Sequence, residues 1–109
     1  MFEGEYLNGE RNEKGKEYRN EELAYDGEYL NGKRHGKGKQ YFNNILRFEG
    51  EYLNGKKNGK GKEYNNDNKI IFEGEYVDGK RRNGKLIEYL NNGSILEDKY
   101  INGKRINKK

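Results

Sequence analysis

A chain of 109 residues in which 39% are charged and only 29% hydrophobic offers enough polypeptide for one domain, and little apolar surface with which to build it. Cysteine is absent, which excludes disulfides, iron–sulfur clusters and thiolate zinc sites, and no stretch approaches the roughly 18–20 apolar residues of a membrane-spanning helix. The formal charge of +4 balances 23 basic against 19 acidic residues, too small an excess for strong non-specific binding to nucleic acid.

Taken alone, such a composition sits near the disordered class, but the apolar residues recur in register. The chain opens on Phe2-Glu3-Gly4-Glu5-Tyr6-Leu7-Asn8-Gly9, and the phrase returns from Tyr25, Phe48 and Phe72, at spacings of 23, 23 and 24 residues. A worn copy, Leu96-Glu97-Asp98-Lys99-Tyr100-Ile101-Asn102-Gly103, follows. Self-similarity at a fixed short period means one supersecondary unit stacked on itself. The chain reads as a single array with repeats at about 2–24, 25–47, 48–71 and 72–95 and a partial capping repeat over 96–109.

In the first unit, Phe2, Gly4 and Tyr6 alternate with Glu3 and Glu5, the period-two pattern of a strand with one buried and one wet face. Asn8-Gly9 signals a tight turn, because both residue types tolerate positive φ. Lys14-Gly15-Lys16-Glu17-Tyr18 reads as the returning strand. Glu13 stands where later units carry Gly36 and Gly59, which predicts a looser first hairpin turn. The second unit repeats the plan, with His35 among Lys33, Arg34 and Lys37 in what reads as a basic, solvated turn. The third, from Phe48, is the cleanest copy. The fourth carries an extra residue in Lys80-Arg81-Arg82-Asn83 and has Leu86-Ile87 in place of Gly-Lys. The fifth has Asp98 in place of Gly and lacks the returning strand; Asp98, Lys99 and the basic tail from Lys104-Arg105 to Lys108-Lys109 suit a cap. Short polar loops such as Asn43-Asn44 join the hairpins, and with no Pro every strand N–H can enter the ladder. The predicted fold is all-β, an elongated twisted antiparallel meander of stacked β-hairpins with no helix of note. Sixteen glycines leave no window for one.

Aligned copies give four columns: Phe2, Tyr25, Phe48, Phe72 and Leu96; Tyr6, Tyr29, Tyr52, Tyr76 and Tyr100; Leu7, Leu30, Leu53, Val77 and Ile101; and Tyr18, Tyr41, Tyr64 and Tyr89. Their rings supply much of the burial in so polar a chain. Gly4, Gly27, Gly50 and Gly74 recur on the first strands, with Gly15, Gly38 and Gly61 on the second. Glycine inside a strand costs backbone entropy, so its recurrence needs a cause. One reading is a shelf of bare backbone on which rings of a neighbouring strand lie. The other is that the glycines permit bulges.

Phe48-Glu49-Gly50-Glu51-Tyr52, followed by the Gly59-x-Gly61 of its returning strand, closely resembles the MORN repeat (membrane occupation and recognition nexus). The resemblance runs from Phe2 to about Gly103, and units two and three fit it at every signature position. It implies a row of β-hairpins serving as a scaffold or interaction module in cytoskeletal, cortical or junctional proteins. For some members it also implies binding of anionic phospholipid.

Catalytic chemistry is not encoded. Ser94 and His35 are the only Ser and His, Thr is absent, and the two stand in different units. The Gly- and Lys-rich run from Gly32 to Lys39 lacks the spacing and final Ser/Thr of a P-loop. No metal, cofactor, small-molecule substrate or specific nucleic acid is expected. Acidic first strands and basic returns predict cross-strand pairs, Glu28 with Lys39 and Glu51 with Lys62, worth about 0.2–1 kcal/mol each. Beyond pairing, Lys33, Arg34, Lys37, Lys56, Lys57, Lys60, Lys80, Arg81, Arg82 and Lys85 form a candidate basic edge recurring about every 10 Å, suited to an anionic partner. Leu86, Ile87, Leu90, Ile95, Leu96 and Ile101 form a candidate self-association end, since end strands carry unpaired backbone groups. The leading reading is a non-catalytic scaffold or protein-interaction module that binds a protein partner or a second copy. The alternative is a peripheral binder of anionic phospholipids through basic hairpin turns. With Met1-Phe2 opening directly into the first repeat, the chain reads as cytoplasmic, with the membrane periphery and the cytoskeleton as expected stations.

Overall fold

The computed structural model describes residues 1–106; the last three residues of the expected capping tail, 107–109, lie outside the described residues. Ten strands follow in chain order: β1 (Phe2–Leu7), β2 (Glu10–Arg19), β3 (Glu22–Leu30), β4 (Lys33–Phe42), β5 (Ile45–Leu53), β6 (Lys56–Tyr64), β7 (Ile70–Val77), β8 (Lys80–Tyr89), β9 (Ile95–Ile101) and β10 (Lys104–Ile106). Each pairs antiparallel with the next in one open sheet of 54 × 29 × 15 Å, and no helix occurs among the described residues. The fifth copy, expected to lack its returning strand, keeps a three-residue one in β10.

Five hairpins close on Asn8-Gly9, Asn31-Gly32, Asn54-Gly55, Asp78-Gly79 and Asn102-Gly103, with all ten residues at positive φ, as at Asn54 (50°) and Gly55 (88°). Two such residues make the tight turn whose twist matches that of the strands. Each later turn is tied to the hairpin before it. Gly55 N–H donates to the Arg34 carbonyl at 2.9 Å, and Gly79 N–H to the Lys57 carbonyl at 2.8 Å. Because the turns hold only two residues, the basic residues expected in them stand on β4, β6 and β8 instead. His35 is likewise a half-buried strand residue of β4.

The core occupies one face. Tyr25, Phe48 and Phe72 are fully enclosed, and Tyr29, Tyr52 and Tyr76 nearly so. The rings meet edge to face within a unit (Phe48–Tyr52, 5.6 Å) and between units (Phe48–Tyr76, 5.1 Å), the geometry that the ring quadrupole favours. Beneath them the glycines face one another strand by strand, from Gly4 and Gly15 through Gly50 and Gly61 to Gly74 and Gly84. A Cβ on Gly61 would sit 2.6 Å from two atoms of the Phe48 ring. These glycines form the shelf. Gly36 (φ 72°) and Gly59 (φ 101°) do the other job, filling register shifts opposite Glu28 and Glu51. Glu13 holds the same left-handed conformation (φ 59°), which costs a non-glycine residue about 1 kcal/mol. The first hairpin nevertheless stays paired from Phe2 to Leu7.

Tyr18, Tyr41, Tyr64 and Tyr89 do not join this core. A second register shift precedes each of the first three and turns them out of the alternation. The Tyr64 hydroxyl donates to Glu49 at 2.7 Å, and that of Tyr89 to the Ile70 carbonyl at 2.8 Å.

The shelf predicts a sharp asymmetry between two neighbouring substitutions. A Cβ on Gly50 would lie 2.5 Å from the Lys60 carbonyl oxygen and 2.6 Å from Gly61 Cα, both backbone atoms. Gly50→Ala should therefore cost about 1–3 kcal/mol, as overpacking does. Exposed Lys56→Ala should stay within about 0.5 kcal/mol of the parent. Equal midpoints in urea for the two variants would refute the shelf.

Candidate interaction surfaces

The aromatic face is not bare. Arg11, Arg34, Lys57 and Arg81 lie flat on its rings, with Arg34 4.3 Å from the Tyr25 centroid, Lys57 4.4 Å from Phe48 and Arg81 4.8 Å from Phe72. Long cationic stems cover apolar surface while their heads meet the ring quadrupoles. Two of these cations are locked by carboxylates. Glu63 accepts from Arg81 Nε (2.8 Å), from its Nη2 (2.7 Å) and from the Tyr76 hydroxyl. Glu17 accepts from Arg34 Nε (3.0 Å), its Nη2 (3.3 Å) and the Tyr29 hydroxyl. Burial is the largest influence on both carboxyls and pushes them up, but the arginine and tyrosine hydrogen bonds and the arginine charge together hold them below the usual 4.5. Of the expected basic edge, Arg34 and Arg81 are thus committed to the fold, whereas Lys57 rests on the Phe48 ring without an ion pair among the described residues.

The opposite face carries an open groove of about 950 Å³ running across β2 to β7. Its floor is the backbone of the glycine row, and its sides are five lysines and six carboxylates. Along one side Lys39 faces Asp26 and Glu49, and Lys62 faces Glu49 and Glu73. Along the other, Glu28 pairs with Lys14, Glu51 with Lys37 and Glu75 with Lys60. The pairs expected from the sequence, Glu28 with Lys39 and Glu51 with Lys62, are replaced by these. Glu28 and Glu51 instead turn into the bulges, accepting from Lys37 N–H (2.9 Å) and Lys60 N–H (2.7 Å).

At the turn edge the pattern changes. Leu30, Leu53, Val77 and Ile101, each 45–48% exposed, alternate across the sheet with Lys33, Lys56, Lys80 and Lys104. Arg82 is exposed on β8, and Lys85 lies 3.8 Å from Glu97. The expected self-association end is divided. Leu86 is buried opposite Asp98, Ile87 and Leu96 are half-buried, and Leu90, Ile95 and Ile101 are exposed. At the other end, edge strand β1 exposes Tyr6 (59%) and Leu7 (58%).

The Ser94 hydroxyl bonds only to Asn92 among the described residues and stands in the β8–β9 loop, far along the meander from His35 on β4. Among the described residues no group of three His, Asp or Glu could hold a metal ion. The committed carboxylates Glu17, Glu63 and Glu88, at one position of the returning strands, escape a sequence reading that treats acidic residues as solvated. Aligning Lys16-Glu17-Tyr18 with Lys62-Glu63-Tyr64 would have exposed the column.

A depressed carboxyl stabilises the fold above its unfolded value and loses that stabilisation as pH falls through its folded value. Stability should therefore decline from about pH 4.5 downward. Glu63→Gln should cost about 1–3 kcal/mol at pH 6, as loss of charged hydrogen bonds does, and make the decline shallower. Parallel melting profiles for parent and variant from pH 6 to 3 would contradict this.

The family model of the MORN repeat matches residues 2–20, 25–44, 48–69 and 72–85. No curated protein matches the chain significantly. MORN repeats are known for protein and membrane interaction and are not an enzyme family. Four matched units over most of the length, each carried by a hairpin, place the conclusion beyond resemblance: the chain belongs to the MORN repeat family.

Proposed function

We propose that this chain is a non-catalytic interaction module that seats an extended segment of a protein partner in the groove of its charged face. The observation that supports it is the groove itself, open along its length and lined by both signs of charge in alternation. Five strand-to-strand steps cover about 24 Å, the reach of about seven residues of extended chain. A floor of backbone without deep walls suits a polypeptide better than a small molecule. The near balance of lysines and carboxylates also disfavours an anionic bilayer on this face. Partner capture from the native cell tests the reading. Lys37→Glu with Lys60→Glu should release the partners that the parent retains, with melting within a few degrees. Recovery of the same proteins by both would overturn it.

The membrane reading moves to the turn edge, where aliphatic residues alternate with exposed Lys33, Lys56 and Lys80. Each lysine near an anionic bilayer contributes about 1 kcal/mol. Changing all three to Glu should weaken co-sedimentation with phosphatidylserine vesicles by about 100-fold or more. Binding indifferent to those changes, to salt and to anionic lipid would exclude this second reading. Pairing between copies would use β1, whose backbone groups and Tyr6 ring are uncovered.

A further inference from the structure

The returning strands place equivalent residues at Glu17, Gln40, Glu63 and Glu88, opposite Tyr25, Phe48, Phe72 and Leu96. Three are carboxylates, and each holds an arginine: Arg34 on Glu17, Arg81 on Glu63, Arg105 on Glu88. At the second position the carboxylate is missing and the cation is a lysine. The consequences are local. Tyr52 is 4% exposed and its hydroxyl is buried with no hydrogen-bond partner among the described residues. The Arg34 guanidinium lies near it but can only donate, as Arg81 donates to Tyr100 at 3.3 Å, so the hydroxyl's own proton has no acceptor. Lys57 makes no ion pair among the described residues and rests on the Phe48 ring. A buried hydroxyl without an acceptor is costly, and native structures seldom keep one without a reason.

We propose that Gln40, Tyr52 and Lys57 form a subsite for a carboxylate side chain presented by an acidic segment of a protein partner. The incoming carboxylate accepts from the Tyr52 hydroxyl, the Lys57 ammonium and the Gln40 amide. It meets a tyrosine hydroxyl and a cation, the kinds of donor that Glu17 and Glu63 meet in the units on either side. The site lies on the aromatic face, opposite the groove, so it does not depend on what the groove holds. A carboxylate is favoured over a phosphate because the same cradle, one tyrosine hydroxyl and one cation, already holds a carboxylate twice in this chain. Lys57, long and free of an ion pair, is the side chain that yields to admit it.

The probe is a capped hexapeptide of glutamate, titrated into isotopically labelled protein while the Gln40 side-chain amide is followed by NMR. Free glutarate, inorganic phosphate and a capped glutamine hexapeptide serve as the other arms. Saturable shifts are expected with hexaglutamate, weaker ones with glutarate, and none with hexaglutamine. Lys57→Met should weaken binding at least tenfold, whereas Lys56→Met should not. Gln40→Glu supplies the carboxylate internally, so it should abolish binding and raise the melting temperature. In the free protein, Tyr52→Phe should leave the melting temperature unchanged or higher, while Tyr29→Phe and Tyr76→Phe lower it. Undiminished binding by Gln40→Glu, equal losses in Lys56→Met and Lys57→Met, or phosphate binding as tight as hexaglutamate would each overturn the subsite. So would a Tyr52→Phe loss equal to that of Tyr76→Phe, which would mean the hydroxyl is satisfied within the chain.

Discussion

Everything in this molecule rests on an aromatic ring lying against the backbone of a neighbouring strand. A sheet must bury one face against something, and among the described residues this chain of few apolar side chains offers no second sheet and no helix. The solution is a core one ring thick. Glycine on both strands of each of the first four hairpins brings the ring down onto the backbone, and the ring of one unit then receives the edge of a tyrosine from the next, as Tyr52 meets Tyr25 at 5.3 Å and Tyr100 meets Phe72 at 5.4 Å. The missing second layer is supplied by cations. Arg11, Arg34, Lys57 and Arg81 lie over the rings, and their stems exclude water that a bare ribbon would admit.

Because each ring contacts only its own and the adjoining unit, stability accrues between neighbours, as in other solenoids. The ends then show what a unit loses when a neighbour is absent. Tyr6, with no preceding ring to meet, is 59% exposed, whereas Tyr29, Tyr52 and Tyr76 are all below 5%. At the other end the sequence abandons the shelf. Asp98 takes the glycine's place, is buried, and is held by Arg105 Nε at 2.7 Å, while Leu86 packs opposite it. A buried carboxylate needs such a partner, so the fifth unit substitutes a salt bridge and a leucine for the ring-and-glycine plan.

Much of this was legible in the sequence, and the failures share a cause. Period-two alternation, Asn-Gly turns and the Phe/Tyr and Gly columns gave the hairpins and the buried rings, because those features are local. Bulges are not. Two register shifts in each of the first three units interrupt the alternation, so Tyr41 and Tyr64 leave the face that counting by twos assigns them. The same shifts reassign the glycines, since Gly61 is shelf and Gly59 is bulge although only Lys60 separates them. Charge suffered likewise. Lys56 and Lys57 look interchangeable in a basic run, yet adjacent strand residues point to opposite faces, and only Lys57 reaches a ring.

A repeat protein can carry specificity only where its units differ, since identical steps present identical surfaces. The aromatic face differs most plainly at Gln40, where an amide and a lysine interrupt a column otherwise built from glutamate and arginine. Such a break is unfavourable for the isolated fold: it leaves a hydroxyl unpaired and desolvates an ammonium whose pKa is lowered by burial and by the flanking Arg34 and Arg81, with Glu63 alone opposing. Either neighbouring solution, Glu17 with Arg34 or Glu63 with Arg81, was available to the same backbone. The position that departs from both is therefore where the requirements of folding and of recognition separate.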